Sequence, residues 1–96
     1  MTPDDVRNAL ANLPSWNLAN PEGDKPHRLR RTWAFPDFAQ ALALVNEVGA
    51  FAEAQNHHPD IYLTWGRVTL ELWTHDQGTI TQQDLDWCQA LERFLT

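Results

Sequence analysis

Apolar residues recur along this chain with two different periods, and the switches between them mark out seven elements. Val6, Leu10 and Leu13 follow one another at steps of three and four. They stand behind a start made of Thr2, Pro3, Asp4 and Asp5: a hydroxyl cap, a proline in the first turn, and acids at the positive end of the helix dipole. The spacing predicts a helix to about Leu13, closed by Pro14. Residues 16–18 read as a brief strand, and residues 20–26, with two prolines and a glycine, as a turn or loop. Over residues 28–35 the period drops to two. There Leu29, Trp33 and Phe35 share one face, interrupted by Arg31, while Arg28, Arg30 and Thr32 share the other. This is the signature of a half-buried strand, and the two strands suit an antiparallel hairpin.

From Asp37, a capping residue, the helical period returns: Phe38, Ala41, Leu42, Val45, Val48 and Ala52 form one stripe. That helix has to end before Pro59, because the residue ahead of a proline is pushed out of helical geometry, so His57 and His58 fall at or just beyond its end. Residues 61–73 alternate and are rich in β-branched and aromatic side chains, broken only by Gly66 and Arg67. Two strands and a tight turn are predicted, with Val68, Leu70 and Leu72 toward the core. Asp76, Gln77 and Gly78 read as a loop. Thr81 with Asp84 three places on resembles a capping box with Asp in place of the usual Glu, and Leu85, Cys88, Leu91 or Glu92, and Leu95 mark the faces of a last helix whose apolar stripe is closed by Phe94 and Leu95.

The order is therefore α-β-β-α-β-β-α, with no glycine-rich phosphate loop and no parallel crossover. The predicted fold class is α+β, a four-stranded antiparallel sheet with three helices packed on one face and the other face left open. With 96 residues the chain is read as a single domain, residues 1–96. The 43% hydrophobic content and five tryptophans belong to a chain that folds on its own core.

Charge and cysteine content narrow the partners. Thirteen acidic against seven basic residues give a net charge of −6, which repels phosphate backbones and anionic lipid, so no direct nucleic-acid binding and no membrane association are expected. The single Cys88 cannot close an intrachain disulfide, and no amino-terminal apolar run reads as a signal peptide, which points to a cytoplasmic address. Small domains often self-associate, and the tryptophans are candidate anchors for a homodimer or homotetramer.

His57, His58 and His75 lie at element ends, where side chains can converge on a cleft without disturbing the core. Imidazole gives and takes protons near neutral pH, so acid-base chemistry is open to them without a cofactor. His27, beside Arg28, reads as a surface residue. A three-histidine zinc site is the competing reading, but adjacent histidines seldom aim at one ion, and His-x-His or His-x-x-x-His spacings are missing; no metal is expected. Asp84 has a purely structural explanation as an acid at a helix start. Tyr62, Trp65 and Trp73 read first as core or surface aromatics, although a ring beside histidines could stack a flat heterocycle. Glu53 could be a solvated helix residue.

The run Glu53-Ala-Gln-Asn-His57-His58-Pro59, followed after five residues by Trp65, after nine more by His75 and after eight more by Asp84, resembles the signature of the pterin-4a-carbinolamine dehydratases. The similarity extends to Phe35-Pro-Asp-Phe38, Ala41-Leu42 and Thr74-His75-Asp76, and covers the chain from about Trp16 onward. The resemblance implies an α+β fold and dehydration of 4a-hydroxytetrahydropterin to quinonoid dihydropterin, in the recycling of tetrahydropterin, with no metal or organic cofactor. It implies catalytic roles for His57, His58, His75 and Asp84: His57 and His75 as the acid-base pair, His58 as a binding or second catalytic imidazole, Asp84 as a group that orients or charge-stabilises an imidazole. It also implies substrate contacts from Glu53, Pro59, Trp65 and Thr74. Non-enzymatic relatives that bind other proteins or act as assembly factors share the fold, so a protein-binding role is the alternative. Two places depart from the family pattern. Gly78-Thr79-Ile80 stands where many relatives read Gly-Gly-Leu, which predicts a different turn because Thr79 does not take positive φ as glycine does, and Trp73 is bulkier than the pattern leads one to expect.

Overall fold

The start of the chain illustrates how its local rules are obeyed. In the computed structural model, which describes residues 1–19 and 27–96, the Thr2 hydroxyl accepts the Asp5 N–H at 3.1 Å and the Asp5 carboxylate accepts the Thr2 N–H at 3.1 Å. This box opens α1, Pro3–Ala9, which tightens into a 3-10 turn over Leu10–Asn12, so the α-helix stops short of the predicted Leu13. Strands β1, Asn17–Ala19, and β2, Arg28–Ala34, pair antiparallel as predicted; the loop expected at 20–26 lies outside the described residues. Helix α2, Phe38–Gln55, starts where the Asp37 carboxylate accepts the Gln40 N–H at 2.8 Å. Strands β3, Asp60–Thr64, and β4, Arg67–Leu72, turn on Trp65 and Gly66, and α3, Gln82–Leu95, follows.

The sheet order is β1-β2-β4-β3, every pair antiparallel, which places β4 centrally between β2 and β3. Leu29, Val68, Leu70 and Leu72 are fully buried in one cluster with Val6, Ala41, Val48, Leu85 and Leu91 from the helices. The α+β architecture with helices on one face is thus as the element order predicted. The opposite face carries Arg28, Arg30, Thr32, Tyr62, Thr69 and Glu71, with the Thr32 and Thr69 hydroxyls 3.0 Å apart across the β2–β4 pair. None of the described helices is long and apolar enough to cross a membrane.

Two predicted faces and one loop need correction. On α2 the buried residues are Ala41, Leu44, Val48, Phe51 and Ala52, whereas Phe38 and Leu42 are exposed and Val45 is half-buried. The helix is apolar on more than one side, so periodicity alone left its phase undetermined. On α3 Trp87 is buried and Phe94 exposed, because Trp87 packs edge-on to Phe51 and Trp16, while the Phe94 ring lies tilted over Phe51 from outside. The loop expected at Asp76–Gly78 contains a 3-10 turn, His75–Gln77, ended by Gly78 at φ +64°.

Candidate functional site

The end of α2 decides where the paired histidines go. Asn56 adopts a left-handed conformation, φ 53° and ψ 38°, and its N–H still reaches the carbonyls of Ala52 and Glu53. The chain reverses there. His57 N–H also returns to the Ala52 carbonyl, at 3.3 Å, so the His57 backbone is pinned to the helix while its ring leaves it. Pro59 then leads into β3.

The His57 ring meets α3. Its Nε2 lies 2.6 Å from Oδ1 of Asp84, a carboxylate with no solvent exposure. The other oxygen, Oδ2, accepts the Thr74 hydroxyl and the Thr81 N–H, both at 2.8 Å, while the Asp84 N–H goes to the Thr81 carbonyl at 3.0 Å. With Asp84 as a carboxylate its oxygens only accept, which assigns the shared proton to His57 Nε2; whenever the ring is neutral, Nδ1 is then the nitrogen without one. Asp84 thus serves the helix start and the imidazole with the same group.

His75 arrives from the other side, one residue beyond Thr74 at the exit of β4. The Thr74 N–H donates to the Thr79 carbonyl at 2.9 Å, so Thr79 is held in an antiparallel bridge and Gly78 alone takes positive φ in this turn. The His75 ring lies against Trp73 with centroids 4.3 Å apart, and the Arg28 guanidinium stands 3.9 Å from the Trp73 ring centre. Trp73 extends the β2–β4 register opposite Arg28, which ties this wall of the site to the open face of the sheet.

These segments enclose a cleft of about 410 Å³, a size suited to a small heterocycle. His57, His58, His75, Thr74 and Trp73 line it, joined by Asn56, Asp76 and Gln83. Asp84 stands behind His57 rather than in the wall. Glu53 sits on the last turn of α2 with its carboxylate 3.6 Å from His58 Nε2, in a pair open to water. Pro59 and Trp65 are not among the lining residues; Trp65 is 73% exposed at the β3–β4 turn. A concavity of similar size, about 440 Å³, lies between the α1–β1 connection and α3, but of its groups Glu92 is already engaged by Trp16 and Arg31. Among the described residues no group of three or more His, Cys, Asp or Glu side chains is arranged to hold a metal ion. Asn56, Gln83 and Thr81 were not singled out as site residues from sequence. The one available signal was position: each flanks an element end already marked by a histidine or by the capping box.

The chain's likeness to known proteins extends over nearly its whole length. Residues 1–94 match the sequence family described as Pterin 4 alpha carbinolamine dehydratase. A protein of Gloeobacter violaceus, provisionally named a pterin-4-alpha-carbinolamine dehydratase, is 43% identical over 91 residues, 95% of this chain and 97% of its own. One of Chlorobium limicola with the same provisional name is 48% identical over 81 residues, 84% of this chain and 70% of its own. Among solved structures, a transcriptional coactivator/pterin dehydratase of Brucella melitensis superposes with a TM-score of 0.79 at 24% identity, over 98% of this chain and 96% of that one. A pterin dehydratase-like protein described as a RuBisCO assembly factor in the alpha-carboxysome superposes with a TM-score of 0.65 at 21% identity, over 83% and 88% of the two chains. At those identities the two structures speak for the fold.

Proposed function

Since this chain belongs to the pterin-4-alpha-carbinolamine dehydratase family, we propose that it dehydrates a 4a-hydroxytetrahydropterin to the quinonoid dihydropterin and water by histidine acid-base catalysis, in tetrahydropterin recycling. The observation that carries this reading is the cleft lined by His57, His58 and His75, with His57 fixed from behind by Asp84.

In the reaction the C4a–O bond breaks as the hydroxyl takes up a proton and leaves as water, and the N5–H proton is given up, so one group donates and another accepts. His57, whose Nε2–H is committed to Asp84, offers Nδ1 as the acceptor for the N5 proton. His75, carried on a separate segment, is the donor to the departing hydroxyl. His58, at the cleft rim, binds the substrate or relays protons, and Thr74, Glu53, Pro59 and Trp65 are read as the binding set implied by the family pattern, Thr74 alone of these lining the cleft. Neither metal nor organic cofactor enters these steps. We place the reaction in the cytoplasm, in keeping with a lone, buried and unpaired Cys88. Exposed Phe38 and Leu42 on α2 support assembly into a homodimer or homotetramer, which sedimentation would measure.

The test is the decay of freshly generated 4a-hydroxytetrahydropterin. The protein accelerates it, keeps that activity after chelation, and loses about 10²- to 10⁴-fold in His57→Ala and in His75→Ala while both variants stay folded. Undiminished rates in both variants would refute the reading. The fold likeness to the RuBisCO assembly factor supports a second one, a non-enzymatic protein-binding role. A chain without dehydratase activity that nonetheless captures a defined partner from its host would favour it.

A further inference from the structure

Thr74 and Thr81 form, with Asp84, a closed set of hydrogen bonds whose direction is fixed by counting protons. The Thr74 Oγ1 lies 2.8 Å from Asp84 Oδ2 and 2.8 Å from Thr81 Oγ1. A hydroxyl has one proton, and the carboxylate has none to offer, so Thr74 gives its proton to Asp84 and must accept from Thr81. The Thr81 backbone N–H supplies a second donor to the same Oδ2. Both donors are fixed by the framework: Thr74 through its backbone bridge to Thr79, Thr81 by its place at the start of α3. With Oδ2 saturated, Oδ1 is left to a single partner, His57 Nε2, 2.6 Å away.

From this geometry we infer that Thr74 and Thr81 are positioning residues for proton transfer, a hydroxyl relay that turns the Asp84 carboxylate so that His57 is held in its Nε2–H form with Nδ1 free. This assigns the Thr74 hydroxyl to Asp84 rather than to substrate, and it rests on the reading of His57 as the proton acceptor. Without the Thr74 hydroxyl, Oδ2 keeps an unfilled lone pair in a dry site, and the carboxylate rotates to share its remaining donors. His57 then loses its single orientation. Removing the Thr81 hydroxyl takes one donor from Thr74 but leaves both donors on Oδ2, so its effect is smaller and in the same direction.

The experiment compares wild type, Thr74→Val, Thr74→Ser and Thr81→Val by steady-state kinetics and by nitrogen NMR of histidine-labelled protein, in which the ring shifts of His57 report its tautomer. Thr74→Val lowers kcat by about tenfold, the worth of one hydrogen bond, with KM unchanged, and moves the His57 ring away from a single Nε2–H form. Thr74→Ser restores both. An increase in KM with kcat intact would make Thr74 a substrate contact and overturn the inference, as would wild-type kinetics with an unchanged His57 spectrum. If Thr74→Val fails to fold, Thr81→Val decides: a His57 spectrum identical to wild type overturns the relay. The spectrum is read without turnover, so the two proposals fail separately. A Thr74-dependent tautomer in a chain that dehydrates nothing sinks the reaction and supports the positioning, whereas an active chain with an indifferent tautomer sinks the positioning alone.

Discussion

Glu71 stands on the open side of the sheet, yet its side chain is only 8% exposed, because Arg28, Arg30 and Tyr62 close over it. Burial, the largest single influence, opposes its charge, but hydrogen bonds from Arg30 and Arg28 together with their positive charges outweigh it, and the carboxyl is held below its ordinary value. The folded chain therefore binds this proton less readily than the unfolded one. Its stabilisation is complete above the unfolded glutamate value of about 4.3 and is lost as the pH falls toward the lower folded value. In urea denaturation, Glu71→Gln should cost about 1–3 kcal/mol at neutral pH by removing the charge that Arg28 and Arg30 share, although Arg28 keeps Asp60 at 3.4 Å, and its stability should fall less steeply on acidification than that of the wild type. Cys88 shows the opposite case: burial, helped by the Asp84 charge, pushes its thiol well up, so it is core and no nucleophile. That role was readable from its place in the apolar stripe of the last helix. The second duty of Asp84 was implied only by the family resemblance, because its helix-start position by itself already accounted for an acid there.

At the scale of elements, the β3–β4 turn is the most demanding junction. A methyl group on Gly66 would sit 2.8 Å from the Phe35 carbonyl oxygen, and that same stretch donates its Phe35 N–H to the Gly66 carbonyl at 2.8 Å. Two backbones meet with no room between them. Gly66→Ala should therefore cost about 1–3 kcal/mol, read as a lowered denaturation midpoint, even though the residue touches no part of the cleft. Strand identities and the inward face of the last strand were legible because alternation has a period of two and leaves only one way to hide Val68, Leu70 and Leu72; the residue-by-residue register and the strand order were not. Helix phase was less so. Leu44 and Phe51 fit the helical period as well as Phe38 and Leu42 do, and only the positions of β4 and Trp87 select between the two stripes.

For the molecule as a whole, one core cluster joins all three helices to the sheet, with β4 at its centre. Leu70→Ala in that strand should remove about 2–5 kcal/mol and lower a single cooperative transition rather than split it, as calorimetry would show. The site is assembled from the exits of α2 and β4 and the entrance of α3, and those exits were legible in the sequence from a proline, a turn and a capping pattern. The distances across them were not, since they depend on how the helices lie over the sheet. One carboxylate, at position 84, both begins the last helix and steadies an imidazole. A descendant of this chain that abandoned turnover would still need an acid there to launch that helix, whereas positions 57 and 75 would be asked only to fill space. Decay of chemistry along a lineage should thus be written first in the histidines, with the aspartate outlasting them.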